Sequence, residues 1–153
     1  MKGKSFTKVL VSMLLSISLL TTLALFGCSA GNDSSEVGPA GSVTITVDIT
    51  AAVDEGDPTA QAMATKYGGN TFQFKIGIDD KATALSATRA TKMTVAMNGD
   101  FVDSLDGLAA GAVSEFSGWT FTINGEWALV GPGEIPVADG DEIAWTYVTS
   151  WDM

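Results

Sequence analysis

The plainest pattern in this chain is an alternation of apolar and polar residues, which occurs in SVTITVDIT at 42–50 and in NTFQFKIGI at 70–78. Successive side chains of a β-strand point to opposite faces, so this period of two predicts a strand with one buried face in each stretch. The predicted buried residues are Val43, Ile45, Val47 and Ile49 in the first strand and Phe72, Phe74, Ile76 and Ile78 in the second.

A short helix is predicted between these strands, in DPTAQAMATKYGG at 57–69. Asp57 can cap its N-terminus. Pro58 suits its first turn, because proline lacks an N–H group that this turn would leave unpaired. Gly68 and Gly69 are expected to end the helix.

A second helix is predicted directly after the second strand, in DDKATALSATRATK at 79–92. Either Asp79 or Asp80 is the expected N-cap. Ala82, Leu85 and Ala90 recur at helical spacings, which favours the same assignment.

The remainder of the chain is predicted to consist of short strands joined by tight turns. MTVAM at 93–97 and FVDSL at 101–105 flank the turn residues Asn98-Gly99-Asp100. GWTFTINGEWALV at 118–130 predicts a hairpin around Asn124-Gly125, a pair that favours a two-residue turn.

A final strand is predicted after the turn Asp139-Gly140-Asp141, with Ile143, Trp145 and Tyr147 on its buried face. Together these segments predict an α+β fold with a mixed sheet of about five to six strands and one or two short helices. The helices are expected on one face of the sheet.

A different pattern precedes the first strand, and it predicts a secretory signal. Lys2, Lys4 and Lys8 form a basic start, and residues 9–26 are an uncharged apolar run of 18 residues. The run is marginal for a membrane span of about 20 residues, so a retained membrane helix is one alternative interpretation.

The single cysteine, Cys28, ends the sequence LFGC, which resembles the lipobox of bacterial lipoproteins. This resemblance implies acylation of the Cys28 thiol and cleavage between Gly27 and Cys28, so residues 1–27 would be a lipoprotein signal peptide. An ordinary signal peptide with a free thiol is the other alternative. Residues 28–41, rich in Ser, Gly and acidic residues, are predicted to be a lipidated flexible tether.

Composition excludes several function classes. The chain has no histidine, which removes Ser-His-Asp and Cys-His nucleophile pairs and imidazole-bound zinc. Removal of residues 1–27 leaves five basic and eighteen acidic residues, so the net charge falls from −10 to −13. Such a charge disfavours nucleic acid, because binding to phosphates requires a basic patch.

The C-terminal segment resembles the transcobalamin-like C-terminal domain family, which is also catalogued as a domain of unknown function. The matching residues are Gly118-Trp119, the turn at 123–126, Gly140-Asp141 and the pair Trp145-x-Tyr147. This resemblance implies that residues 42–153 form a β-grasp-like domain. In eukaryotic cobalamin carriers a similar domain covers the corrin face of the vitamin.

Four aromatic residues are candidates for binding a ligand: Trp127, Trp151, Trp119 and Tyr147. Trp119 and Tyr147 occupy core-facing positions of predicted strands, so packing is the favoured interpretation for them. Trp127 and Trp151 fit a buried strand face less well, and an exposed tryptophan offers a flat, rigid platform to a planar ligand or a sugar.

The acidic residues suggest neither a metal site nor a catalytic pair. Asp100, Asp103 and Asp106 do not match the spacing of a calcium-binding EF-hand loop, so solvated turns are favoured. Asp139 and Asp141 flank a glycine in a turn. No catalytic residue, metal or cofactor is therefore predicted, and the protein is not expected to be an enzyme.

Two hypotheses follow. In the first, the chain is a bacterial cell-surface lipoprotein, extracytoplasmic and held on the membrane by its lipid, whose domain binds a corrinoid such as cobalamin or another planar ligand. In the second, the domain is a structural or adhesion module that docks to a cell-envelope protein or glycan and has no small-molecule site.

Replacing Cys28 with Ser is expected to abolish acylation and to leave the precursor uncleaved, because this thiol is the sole acceptor in the sequence. Detergent partitioning and intact mass would measure both effects. A mature wild-type protein that begins at another residue, or that lacks added lipid mass, would contradict the lipoprotein assignment.

Overall fold

The computed structural model describes residues 37–150. The predicted signal peptide, most of the predicted tether and Trp151 lie outside these described residues. No helix within 37–150 has the length and apolarity that crossing a membrane would require. The strands are β1 Ser42–Asp48, β2 Thr71–Gly77, β3 Val95–Asn98, β4 Phe101–Leu105, β5 Leu108–Ala109, β6 Gly118–Ile123, β7 Glu126–Trp127 and β8 Glu142–Val148, and the helices are α1 Thr50–Asp54, α2 Pro58–Tyr67 and α3 Ala84–Ala90.

The main sheet has five strands in the order β2-β1-β8-β6-β7. β1 and β8 pair in parallel at its centre, whereas every other neighbouring pair is antiparallel. If these five strands alone are numbered along the chain, the order is 2-1-5-3-4, which is the arrangement of a β-grasp sheet. The predicted α+β class with a mixed sheet is thereby confirmed.

The alternating residues of β1 and β8 form the centre of the hydrophobic core. Ile45 lies beside Ile143 and Val47 beside Trp145 across the parallel pair, and all four side chains are almost fully buried. Burial of each such side chain contributes roughly 1.5–3 kcal/mol relative to exposure. The polar residues between them face the other side of the sheet, as the alternation predicts.

Aromatic pairs extend this core onto β6. Phe121 stacks on Trp145 with ring centroids 4.5 Å apart, and Trp119 meets Tyr147 edge-on at 5.2 Å. In both cases the two residues are directly opposed in the antiparallel β6–β8 ladder. Such cross-strand contacts fix the register of the two strands.

Helix α2 begins and ends as predicted. The Asp57 carboxylate accepts a hydrogen bond from the Ala60 N–H at 2.8 Å, and Pro58 is the first helical residue. Gly68 ends the helix in the left-handed region at φ +84°, where a residue with a Cβ would be strained.

The predicted N-cap of the second helix was wrong. Helix α3 is capped by Thr83, whose side chain accepts from the Ser86 N–H, while the Ser86 hydroxyl accepts from the Thr83 N–H. The Asp79 carboxylate is engaged in a local turn instead, where it accepts from the Lys81 N–H. This reciprocal capping outcompetes an earlier start because it pairs two backbone N–H groups at once.

Two further elements were not predicted. Helix α1 has five residues, and its N-cap position is held by Ile49, which forms no side-chain capping hydrogen bond and which the alternation pattern had placed in the preceding strand. Ile49 is nevertheless fully buried, so its apolar character reflects burial rather than strand geometry. β5 pairs with β4 across the turn residues Asp106 and Gly107, both at positive φ.

The turn between β4 and β5 is fastened to helix α2 through Asp106. Its carboxylate accepts from Lys66 Nζ at 2.7 Å and from the Tyr67 hydroxyl at 2.9 Å. Burial by itself would raise the pKa of Asp106, but the hydrogen bonds from Lys66 and Tyr67 outweigh burial and lower it. The hydrogen bond with Asp106 raises the pKa of Lys66, so both groups stay charged around neutral pH. This contact holds the second, small sheet of the fold, whose strand order is β3-β4-β5, against α2.

A buried hydrogen bond joins helix α3 to the central strand β8. The Trp145 Nε1–H donates to the Thr88 hydroxyl at 3.0 Å, and this hydroxyl donates to the Ala84 carbonyl at 2.7 Å. Trp145 and Thr88 are 1% and 0% exposed, so neither group has access to water.

Thr88→Val is expected to lower the free energy of unfolding by about 1–3 kcal/mol, because the buried indole N–H would lose its acceptor while the side-chain shape is kept. Thr65→Val is the matched control, since the exposed Thr65 hydroxyl also donates to the carbonyl four residues earlier, and its cost should stay within about 0.5 kcal/mol. Urea unfolding followed by tryptophan fluorescence measures both. Equal costs would contradict the role of Thr88.

Candidate ligand-binding surface

Exposed apolar side chains are concentrated at the β6–β7 end of the main sheet. Phe101, Trp127, Leu129 and Val130 are all exposed, and Leu129 is 94% exposed. We refer to these four residues as the apolar end. Contiguous exposed apolar surface on a small domain commonly marks an interaction site.

A close backbone contact brings the members of the apolar end together. Gly131 packs against Asp100, and a Cβ at this glycine would collide with the Asp100 carbonyl oxygen. The loop after β7, which carries Leu129 and Val130, is therefore held against the β3–β4 turn, where Phe101 begins β4. Any side chain larger than glycine at residue 131 would separate them.

An open cleft of about 430 Å³ lies beside the apolar end. This volume is within the range of roughly 300–1,000 Å³ found for small-molecule sites, although such sites are normally more enclosed. A ligand in an open cleft keeps one face in solvent. The cleft is lined by Ile123, Asn124, Glu126, Trp127, Ala128, Leu129 and Ile135.

The hairpin that forms this cleft is fixed by its turn. Asn124 and Gly125 both have positive φ, 52° and 83°, as a type I′ turn requires. The Asn124 side chain donates to Asp141 Oδ1 and accepts from the Glu142 N–H, both at 2.9 Å. The hairpin tip is thereby tied to the turn before β8.

The carboxylates of that turn accept hydrogen bonds from backbone N–H groups. Asp139 Oδ1 accepts from the Ser42 N–H and Asp141 Oδ2 accepts from the Ala138 N–H, each at 2.8 Å. Their position agrees with the prediction of a turn.

Trp127 lies where a ligand could reach it. Its side chain is 65% exposed, and its ladder partner is Thr122. Opposed residues of a ladder project to the same face, so the Trp127 ring stands on the face of the sheet that carries Thr122. This face is opposite to the hydrophobic core.

The other aromatic candidates occupy different environments. Tyr147 is 1% exposed, and its hydroxyl donates to the Ala109 carbonyl at 2.7 Å and is 2.9 Å from the Ser117 hydroxyl. Trp119 is half-buried, and its Nε1–H donates to the Leu108 carbonyl at 2.8 Å. Both polar atoms are therefore engaged within the protein. Trp151 lies outside the described residues.

The three aspartates around β4 do not converge. Asp106 is committed to Lys66 and Tyr67, whereas Asp100 lies at the β3–β4 turn. In the part of the chain that the structure describes, no group of three or more His, Cys, Asp or Glu side chains is arranged to hold a metal ion.

Charge along the domain is strongly uneven. Residues 93–150 contain nine acidic residues and no lysine or arginine. Asp100, Glu126 and Glu134 are exposed at or near the apolar end. An anionic ligand would therefore be repelled from this end, while a neutral or cationic ligand would not.

Sequence reasoning did not identify three members of the apolar end. Leu129 and Val130 precede the turn residues Gly131-Pro132-Gly133, but this pattern does not reveal which side chains are exposed. Phe101 begins a predicted strand, and this position alone does not reveal that its side chain is exposed. The sequence offered no signal for Leu129 and Val130, because the length of β7, which ends after two residues and leaves them little sheet to cover them, is seen only in the structure.

Residues 81–149 match the model of the family described as Domain of unknown function (DUF4430). The resemblance stated from the sequence is confirmed over this segment, which is less than half of the chain. No curated protein has a significant match to the chain.

Two solved structures match this chain. Haptocorrin in complex with Cbi matches with a TM-score of 0.53 and 15% identity over 72% of this chain and 25% of haptocorrin. The chain thus spans about a quarter of the length of haptocorrin. A protein from Ruminococcus gnavus, suggested to bind metal, matches with a TM-score of 0.47 and 21% identity over 72% of this chain and 98% of that protein.

The two environments of Trp119 and Trp127 predict different costs of truncation. Trp119→Ala is expected to destabilise the domain by roughly 3 kcal/mol or more, because the ring packs on Tyr147 and the indole pairs with Leu108. Trp127→Ala is expected to cost under about 1 kcal/mol because its ring is mainly in solvent. Urea unfolding, monitored by circular dichroism, would compare them; equal costs would refute the assignment.

Proposed function

We infer that this protein is an extracytoplasmic bacterial lipoprotein, anchored to the membrane through Cys28, whose domain binds a ligand without catalysis at the apolar end. A corrinoid or another planar molecule is the proposed ligand class. The observation that carries the binding role is the cluster of four exposed apolar side chains beside a 430 Å³ cleft.

The proposed location rests on the N-terminal sequence. A basic start, an apolar run and the LFGC motif occur in the order that a lipoprotein signal requires. Two acyl chains on Cys28 would provide stable anchoring, since each buried methylene contributes about 0.8 kcal/mol and one chain alone is marginal.

The proposed ligand class is supported by shape, charge and fold. The exposed Trp127 ring and the neighbouring Leu129 provide an apolar contact for a flat molecule. The acidic surroundings favour a neutral or cationic molecule. The matched part of haptocorrin has a similar fold, and its crystal structure is a complex with Cbi.

The alternative, a module that docks to another protein of the cell envelope, is favoured by one observation. Phe101 and Val130 are exposed but do not line the cleft. The apolar surface is thus wider than a ligand in the cleft would cover, and a protein partner could bury all of it.

Binding is tested on the full-length chain in a polyoxyethylene detergent, titrated with cobinamide, cobalamin and haem. Cobinamide and cobalamin are expected to quench tryptophan emission with an affinity no tighter than about micromolar, or −8 kcal/mol, because the open cleft leaves much of the ligand in solvent. Haem, which carries propionates, is expected to bind more weakly, above all at low salt.

Two variants locate the binding surface. Leu129→Ser should weaken corrinoid binding at least severalfold, whereas Phe116→Ser should not, because Phe116 is similarly exposed but lies outside the apolar end. Absence of heat and quenching at several hundred micromolar ligand, roughly −5 kcal/mol or weaker, would refute the corrinoid proposal and favour the docking module.

A further inference from the structure

The face of the main sheet opposite to the hydrophobic core is rich in threonine. We refer to its six threonines as the threonine face: Thr44, Thr46, Thr71, Thr120, Thr122 and Thr146. They come from four of the five strands and alternate with the buried residues of β1 and β8. All but Thr120 are partly or fully exposed.

Strand register arranges this face in rows. One row crosses all five strands, since Gln73, Thr46, Ala144, Thr122 and Trp127 are successive ladder partners. With neighbouring strands about 4.8 Å apart, the row is about 19 Å long. It ends on the exposed ring of Trp127.

Within residues 37–150, the packed elements lie on the other side of this sheet. Thr88 of α3 bonds to the core residue Trp145, and Ala109 of β5 bonds to the core residue Tyr147. The buried residues of all three helices belong to the same core cluster. Apart from the buried Thr120, the threonine face is therefore open to solvent in the described part of the chain.

The groups on this face suit hydrogen bonds to a ligand. Among residues 37–150, the hydroxyls of Thr44, Thr122 and Thr146 form no hydrogen bond to another protein group. Gln73 donates to the Thr46 hydroxyl at 3.0 Å, which holds both side chains in place. Threonine is β-branched and stiff at χ1, so binding would cost little side-chain entropy.

The shape of the long row adds a second feature. Ala144, at its centre, is its smallest side chain, so the surface dips between Thr46 and Thr122. A flat polar surface that ends on an exposed tryptophan combines hydroxyl partners with a stacking platform. Solvation alone accounts for the threonines, which favour strands, but it does not account for an exposed indole in the same row.

Charge narrows the class of ligand. The strands of this face carry Asp48, Glu142 and Lys75 on the same side, and the described residues contain fifteen acidic and five basic residues. Anionic polymers are disfavoured by this excess. From the row, the free hydroxyls and the charge, we propose that the threonine face binds a neutral oligosaccharide, which stacks one ring on Trp127 and hydrogen-bonds along the row of Thr46 and Thr122.

The test uses the full-length chain in a polyoxyethylene detergent, titrated separately with cellohexaose, chitohexaose, mannohexaose and maltohexaose. At least one hexasaccharide is expected to change tryptophan emission and to release heat. Thr46→Val and Thr122→Val should each weaken that binding about threefold to tenfold, because each removes one hydroxyl partner. Trp127→Ala should weaken it at least tenfold.

Thr65→Val is the control, because Thr65 is an exposed threonine on α2 and away from this face. Binding that is unchanged by Thr46→Val and Thr122→Val, or that is lost equally in Thr65→Val, would overturn the proposal. Absence of binding by all four sugars at 10 mM, which corresponds to a binding free energy of roughly −2.7 kcal/mol, would also overturn it. The corrinoid proposal shares Trp127 with this one but is distinguished from it, because it predicts sensitivity to Leu129→Ser and no effect of Thr46→Val.

Discussion

The structure depends on one pairing, the parallel contact between β1 and β8 at the centre of the main sheet. These strands come from opposite ends of the described chain, with Thr44 beside Glu142 and Asp48 beside Thr146. A parallel pair needs a long connection, and here the helices and the small sheet all lie within it. Helix α3 bonds to Trp145 and β5 bonds to Tyr147, and the buried residues of α1 and α2 belong to the same core, so these elements lie on one face of the sheet.

The central β1–β8 pairing explains which parts of the fold can be predicted from the sequence. The alternation in β1, β2 and β8 is strong because one face of each strand is buried. Gly99 and the pair Asn124-Gly125 signal turns because each of these residues adopts a positive φ there. Competition between neighbouring N-cap candidates is harder to predict from the sequence. Thr83 rather than Asp79 caps α3, because its reciprocal capping with Ser86 pairs two backbone N–H groups. The residue types alone do not show which of the two candidate caps pairs more of these groups.

The candidate site was predictable only in part for a related reason. Trp127 follows a turn, so its exposure could be expected from local sequence. Leu129 and Val130 are exposed because β7 ends after two residues and the contact of Gly131 with Asp100 carries the chain away from the sheet. That contact joins residues 31 positions apart, and no local pattern encodes it.

The ladder register decides how the two proposed surfaces are related. Trp127 lines the cleft and is also the last residue of the row that crosses the threonine face. Because its partner is Thr122, the ring stands on the threonine side, whereas Ile123, the next residue of β6, faces the core side, where it opposes Ile143. A ligand in the cleft would meet Leu129 as well as Trp127, while a ligand on the open face would meet the Trp127 ring and the threonines. The indole is consequently shared by the two proposed surfaces, and Leu129, which is not part of the threonine row, distinguishes them.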